Sequence, residues 1–143
     1  MHWLGYCKLN INIHLMKLFK AILLLITISC FSARADIYDD LAAAIRAGDA
    51  RQIAAHFDNK VDLALSSVED VYSKAQAELL IKDFFSKNPP KSFNLVHKGS
   101  SKEGTLFAVG TLNCTNGKTF RVSFVMKTVK GVNILQEFRF ENQ

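Results

Sequence analysis

The sequence predicts an α+β fold, in which three N-terminal helices pack on a curved antiparallel sheet. Apolar residues recur at helical spacing through much of residues 37–88, whereas the chain after Lys91 has strand character in four successive runs. Because short turns join these runs, neighbouring strands should pair antiparallel and leave one face for the helices. The 143 residues, 49% hydrophobic and 22% charged, are typical of a single globular domain.

Capping residues predict where the helices begin. The first helix starts near Ile37, and a glycine at position 48 ends it. Asp49 and Gln52 form a capping-box pattern for a short second helix, and Ser73 and Gln76 form another for the third. Two adjacent prolines at 89–90 then exclude further helix.

The strands are predicted by alternation of apolar and polar residues. A short strand at 61–65 lies between the second and third helices, and the later runs are 92–98, 105–114, 118–128 and 132–140. Asn116-Gly117 and Lys130-Gly131 suit the positive φ angles of tight hairpin turns, so the last three runs should form consecutive hairpins.

Residues 1–35 are predicted to be an export signal with some upstream residues. The apolar run 18–31 is too short, and too interrupted by Lys20, to be a stable membrane span. Ala33 and Ala35 form the small-x-small pattern that precedes cleavage, so the mature domain should be 36–143 and should be periplasmic or secreted. Met16, followed by a lysine, is the expected translation start. Lipidation at Cys30 is the alternative.

Removal of this segment changes both the charge and the cysteine count. Residues 1–35 hold four of the 18 basic residues and none of the 13 acidic ones, so the mature domain has 18 − 4 = 14 basic against 13 acidic residues. The basic excess therefore belongs to the export segment, and no nucleic-acid partner is predicted. Of the three cysteines only Cys114 remains, which excludes an intrachain disulfide in the mature domain.

The order of elements resembles the nuclear-transport-factor-2-like, or cystatin-like, cone fold. The stretch AIRAGDARQIAAHF at 44–57 is similar to the opening helices of that superfamily, and 36–142 resembles the bacterial exported family named domain of unknown function 4783. The resemblance implies a conical half-barrel around a pocket. Such pockets serve isomerases, dehydratases, ligand binders and structural dimers, so the fold does not select a function. It implies no catalytic residues.

Two polar residues are predicted to bind a ligand, because they interrupt apolar stripes of the sheet. By strand alternation, His97 shares a face with Phe93 and Leu95, and Gln136 shares one with Ile134 and Phe138. Each would then point into the pocket, where it could orient a bound polar group. The alternative is a position near a strand end, or a side chain satisfied by a backbone partner.

Catalytic chemistry has weaker candidates. A cone-fold enzyme of the isomerase or dehydratase type would use His97 or Asp62 as base, but Asp62 lies on the polar side of its strand. Glu137 is predicted to be a solvated carboxylate that pairs with Arg139 or Arg121. Cys114 lacks a predicted histidine neighbour, and no metal or other cofactor is predicted.

The sequence therefore favours a non-catalytic exported module that binds a small apolar ligand or an envelope protein through its pocket or sheet face. A structural homodimer is a further alternative. It depends on the aromatic residues, because any phenylalanine in excess of the core would line a pocket or a dimer face. Those considered are Phe84, Phe85, Phe93, Phe107, Phe120, Phe124, Phe138 and Phe140.

Overall fold

A computed structural model describes residues 36–143 of the chain. The predicted signal segment, with its start at Met16, its cleavage after Ala35 and the alternative lipidation at Cys30, lies outside the described residues. Within residues 36–143, no helix has the length and apolar character needed to cross a membrane.

Three helices and six strands follow one another along the described residues. The helices are α1 (Ile37–Ala47), α2 (Ala50–Ala55) and α3 (Lys74–Lys87). The strands are β1 (Phe57–Leu65), β2 (Val68–Ser73), β3 (Pro90–Ser100), β4 (Thr105–Cys114), β5 (Thr119–Val129) and β6 (Val132–Asn142). The α+β class, with three helices on a curved sheet, is confirmed.

The six strands form one sheet in the order β2-β1-β6-β5-β4-β3. All neighbours pair antiparallel except β1 and β6, which are parallel, so the sheet is mixed. The parallel pair arises because α3 and four strands separate β1 from β6 along the chain, and the last strand returns beside the first. Short turns join β3, β4, β5 and β6 in consecutive hairpins, as the sequence predicts.

Strand β2 is the element that sequence patterning misses. It forms a hairpin with β1 across Ser66 and Ser67, but its side chains are almost all exposed, and Glu69 and Asp70 lie in its middle. An edge strand with no buried face has no alternation to detect. β1 is also longer than predicted, because it begins at Phe57.

The predicted helix caps form, although only one of the two hydrogen bonds of the predicted capping box at Asp49 is present. The carboxylate of Asp49 accepts a hydrogen bond from the amide of Gln52, and both hydrogen bonds of the Ser73–Gln76 capping box are present. Gly48 ends α1 at φ 65°, the left-handed conformation that glycine adopts without steric cost. Residue choice thus fixes two helix starts and one helix end, and so helps to position the helices on the sheet.

Two β-bulges interrupt the regular alternation of the sheet. In β3, Leu95 pairs with Gly110 and His97 with Val109, which leaves Val96 as an extra residue. In β6, Leu135 and Glu137 pair with successive residues of β5, which leaves Gln136 extra. A one-residue bulge reverses the face of every later residue relative to strict alternation.

The space between the helices and the sheet is filled by aromatic rings. Phe138 is fully buried and packs against Phe57, Phe124 and Phe140 with ring centroids 6.2, 6.2 and 4.8 Å apart. Phe84, from α3, lies 4.5 Å from Phe140 between ring centroids. These rings occupy the volume in which a cone fold with a hollow interior would hold its ligand.

Candidate functional site

His97 and Gln136, the two predicted ligand-binding residues, do not lie inside the cone. Because the bulge at Val96 shifts the register, His97 pairs with Val109 and is exposed on the face opposite the helices. Gln136 is itself the bulged residue of β6 and is also exposed. Their predicted placement on the apolar stripes is therefore wrong, since it assumed unbroken alternation. The two side chains lie on β3 and β6, which are not neighbours in the sheet, and they do not meet in one pocket.

The side of the sheet that faces away from the helices carries most of the exposed chemistry, and we call it the outer face. On β4, β5 and much of β6 its side chains alternate with buried neighbours. For example, Arg121 lies between the buried residues Phe120 and Val122. The outer face includes Lys60, Asp62, Ala64, Glu69, Val71, His97, Phe107, Val109, Thr111, Arg121, Ser123, Val125, Lys127, Glu137, Arg139 and Glu141.

An ion cluster around Arg139 occupies one side of the outer face. Its guanidinium donates a 2.6 Å hydrogen bond to Glu69, donates another to Glu137, and lies 3.5 Å from Asp62. The hydrogen bonds to these carboxylates raise the pKa of Arg139 above its ordinary value. The predicted pairing of Glu137 with Arg139 is present, and Asp62 is held in the same cluster. The cluster ties β2 and β1 to β6.

The charges of the outer face divide into two halves. The half on β2, β1 and β6 carries four carboxylates, those of Asp62, Glu69, Glu137 and Glu141, against the two basic side chains of Lys60 and Arg139. On the outer face of β5, β4 and β3, the charged residues in register are Arg121 and Lys127, and His97 lies beside them. One half is therefore acidic and the other basic.

The basic half also contains apolar surface and a shallow concavity. Phe107 retains 37% of its accessible surface and lies next to His97, with ring centroids 5.9 Å apart. Val96, at the bulge, is 71% exposed. A depression of about 380 Å³ is lined by Val96, His97, Val109, Gly110, Thr111, Arg121 and Gln143. Exposed apolar side chains beside charge are typical of interaction surfaces.

The remaining candidates for catalysis are dispersed. Asp62 is paired with Arg139 on the outer face, whereas Cys114 is buried, and that burial raises the pKa of its thiol. Burial lowers the pKa of His56, the histidine at the end of α2. Within residues 36–143, no three His, Cys, Asp or Glu side chains come close enough together to hold a metal ion.

Comparison with known proteins places these features in a family. A family model described as "Domain of unknown function (DUF4783)" matches residues 38–141. The chain is similar to a DUF4783 family protein of Bacteroides ovatus, with 28% identity, a TM-score of 0.68, and coverage of 73% of this chain and 93% of that one. No curated protein matches.

Two further solved structures share the fold. A DUF4783 family protein of Bacteroides uniformis has 23% identity and a TM-score of 0.70, with coverage of 76% of this chain and 98% of that one. An NTF-2 like protein of unknown function from Silicibacter pomeroyi has 9% identity and a TM-score of 0.53, with coverage of 74% and 89%. At such identities these two likenesses show the fold alone.

Proposed function

The chain belongs to the DUF4783 family, and we propose that it is an exported, non-catalytic module that pairs with a second copy of itself through the outer face. The observation that carries this proposal is the division of the outer face into an acidic and a basic half. Complementary charge on one surface suits a self-complementary interface, in which each patch contacts the opposite patch of the partner.

The charge division also selects the symmetry of the pair. Two sheets that stack face to face are related by a two-fold axis in the plane between them. An axis parallel to the strands sets each acidic half on the partner's basic half, whereas an axis across the strands sets acidic on acidic. Like charges in contact are unfavourable, so the axis should run along the strands, between β5 and β6.

Sheet register then gives the expected contacts. His97, Val109, Ser123, Arg139, Ala64 and Glu69 form one row across the sheet. Rotation about the axis sets His97 opposite the partner's Glu69, and Val109 opposite the partner's Ala64. In the next row Arg121 of β5 pairs with Glu141 of β6. In the dimer, Arg121 would lie opposite the partner's Glu141, and Glu141 would lie opposite the partner's Arg121.

A charge exchange between two variants tests this pairing. Arg121→Glu sets two carboxylates against each other in both of the symmetry-related contacts of a homodimer, and Glu141→Arg does the same with two guanidinium groups. We expect each variant to self-associate at least about tenfold more weakly than the unsubstituted protein, by sedimentation equilibrium, because of this repulsion. Mixed in equal amounts, they should form a heterodimer in which both contacts are attractive.

The mixture separates an intermolecular effect from damage within one chain, because each variant keeps its own like-charged neighbours after mixing. Lys82→Glu, on the exposed side of α3, is the matched control and should leave association unchanged. If the mixture associates no better than either variant alone, the proposed pairing is wrong.

Several placements support a non-catalytic role. His97 is exposed on the outer face, Asp62 is paired with Arg139, and Cys114 is buried. A general base needs a partner group and a bound substrate within hydrogen-bonding distance. The candidates lie apart from one another, and the rings of Phe124, Phe138 and Phe140 fill the cone.

Export rests on the sequence of residues 1–35. The apolar run before the small residues at 33 and 35 supports signal cleavage, and Asp36 then begins the mature chain. The intact mass of the protein, expressed with its own N-terminal segment in a bacterial host, should correspond to residues 36–143. A mass beginning at an acylated Cys30 would instead establish a lipoprotein and contradict cleavage after Ala35.

A further inference from the structure

A second surface depression lies at one end of the sheet, away from the centre of the outer face. It is a cleft of about 340 Å³ between α3 and the turn that joins β1 to β2. We call it the turn cleft. Its lining residues are Leu65, Ser66, Ser67, Val68, Leu80, Asp83, Phe84, Lys87, Asn88, Lys118, Phe120 and Asn142.

The floor of the turn cleft is apolar. Phe84 and Phe120 pack edge to face with ring centroids 5.0 Å apart, and the side chain of Leu80 lies partly exposed beside them. Leu65 and Val68 contribute apolar surface from the β1–β2 side. The other seven of the twelve lining residues are polar or charged, so the cleft combines an apolar floor with a polar rim, as an amphipathic ligand requires.

One wall of the cleft is held by amide hydrogen bonds. The side-chain amide of Asn116 donates to the carbonyl of Lys87 and to Oδ1 of Asn88, each at 3.0 Å. Oδ1 of Asn116 in turn accepts from the backbone amide of Lys118 at 3.0 Å. These bonds join the end of α3 to the β4–β5 turn and fix the backbone on which the two lysines stand. The wall is therefore built in advance of any ligand.

The rim carries a net positive charge. Lys87 forms a 2.6 Å ion pair with Asp83, one helical turn away, so these two charges largely cancel. Lys118 lines the same cleft, is exposed, and forms no ion pair within residues 36–143. The cleft thus offers one ammonium group above an apolar floor.

We propose that the turn cleft binds a small amphipathic anion, whose apolar chain or ring lies on Phe84, Phe120 and Leu80 and whose acid group pairs with Lys118. A volume of about 340 Å³ lies at the small end of ligand sites, which suits a medium-chain or aromatic acid more than a peptide or a full lipid. This site is separate from the Arg121–Glu141 contacts proposed above, so either proposal can fail while the other holds.

Octanoate and octan-1-ol form a matched pair of probes for this site. They share an apolar chain, but only octanoate carries a charge at pH 7. Titration of the ¹⁵N-labelled exported protein should shift the amide signals of residues around Leu80, Lys118 and Ser67, and octanoate should bind more tightly than octan-1-ol. Lys118→Gln should weaken octanoate binding by about three- to fivefold, as expected for a solvent-exposed ion pair, and leave octan-1-ol binding unchanged.

Two neighbouring leucines provide the control for the apolar floor. Leu80 lines the cleft, whereas Leu79 is 66% exposed and does not line it. Leu80→Asn should weaken the binding of both probes by about tenfold, and Leu79→Asn should leave it unchanged. Lys102→Gln, in the β3–β4 turn, is the charge control. Equal binding of the two probes, equal effects of Lys118→Gln and Lys102→Gln, or signal shifts elsewhere would overturn the proposal.

Discussion

Replacement of Phe138 by alanine should lower the free energy of unfolding by about 3–5 kcal/mol, measured by urea denaturation. Its ring is fully buried and packs against Phe57, Phe124 and Phe140, so its removal loses apolar contacts and leaves a cavity that the other rings cannot fill. Domains of this size are stable by only about 5–15 kcal/mol, so the loss would be a large share of the total.

Phe107→Ala is the matched control, because it removes the same side chain from the outer face. Phe107 is 37% exposed and borders His97 instead of the cone interior. We expect it to cost less than about half as much free energy as Phe138→Ala, since less apolar surface returns to water. Similar costs at the two positions would contradict a cone filled by close-packed rings.

Replacement of Gly110 by alanine should also destabilise the fold strongly, by about 3 kcal/mol in the same measurement. An added Cβ would lie 2.7 Å from the backbone oxygen of Asn94 and would overlap the ring of Phe93, which is almost fully buried. The Asn94 oxygen belongs to strand β3, so relief requires β3 and β4 to separate next to the Val96 bulge.

Gly99→Ala is the control for Gly110→Ala, because at position 99 an added Cβ would meet a side chain and not the backbone. There the added Cβ would lie 2.5 Å from Phe107 Cζ, the far end of an exposed side chain that can rotate away. We expect a cost below about 1 kcal/mol, because no backbone must move. If both alanine variants lose the same free energy, close approach of β3 to β4 at Gly110 is not a constraint on the sheet.

The helices could be predicted from sequence because their starts depend on local hydrogen bonds. The side chains of Asp49 and Ser73 bond to amides within three residues, so the responsible groups are adjacent in the sequence. The strands after Lys91 were predicted for a related reason. Alternation and turn residues are local signals, and the observed strands differ from the predicted ranges by only a few residues.

The candidate site could not be placed in the same way. The prediction that His97 and Gln136 point into the pocket depends on counting alternate residues along each strand. The count fails because Val96 is an extra residue next to His97, and Gln136 is itself an extra residue. A bulge depends on the pairing of two strands, which a single strand does not reveal. β2 was missed because nothing on it is buried, and the filling of the cone depends on how rings from separate strands and helices pack.

The charge division of the outer face became visible only with the strand order. Glu69, Glu137 and Asp62 are far apart in sequence, yet all three contact Arg139. Arg121 and Lys127 are likewise brought to the opposite half by the placement of β5 beside β6. A homodimer through the sheet face is one of the alternatives that the sequence leaves open, but its axis depends on the strand order.

The most direct test of the proposed pairing is an isotope-filtered NOE measurement on a mixture of ¹³C-labelled and unlabelled protein. Only contacts between copies give signals in this experiment. Pairing along the strands predicts signals between the methyl groups of Val109 and the partner's Ala64, because within one chain two strands, β5 and β6, separate these two residues. An absence of intermolecular signals at millimolar concentration, or signals that involve helix residues instead, would contradict the outer face as the pairing surface.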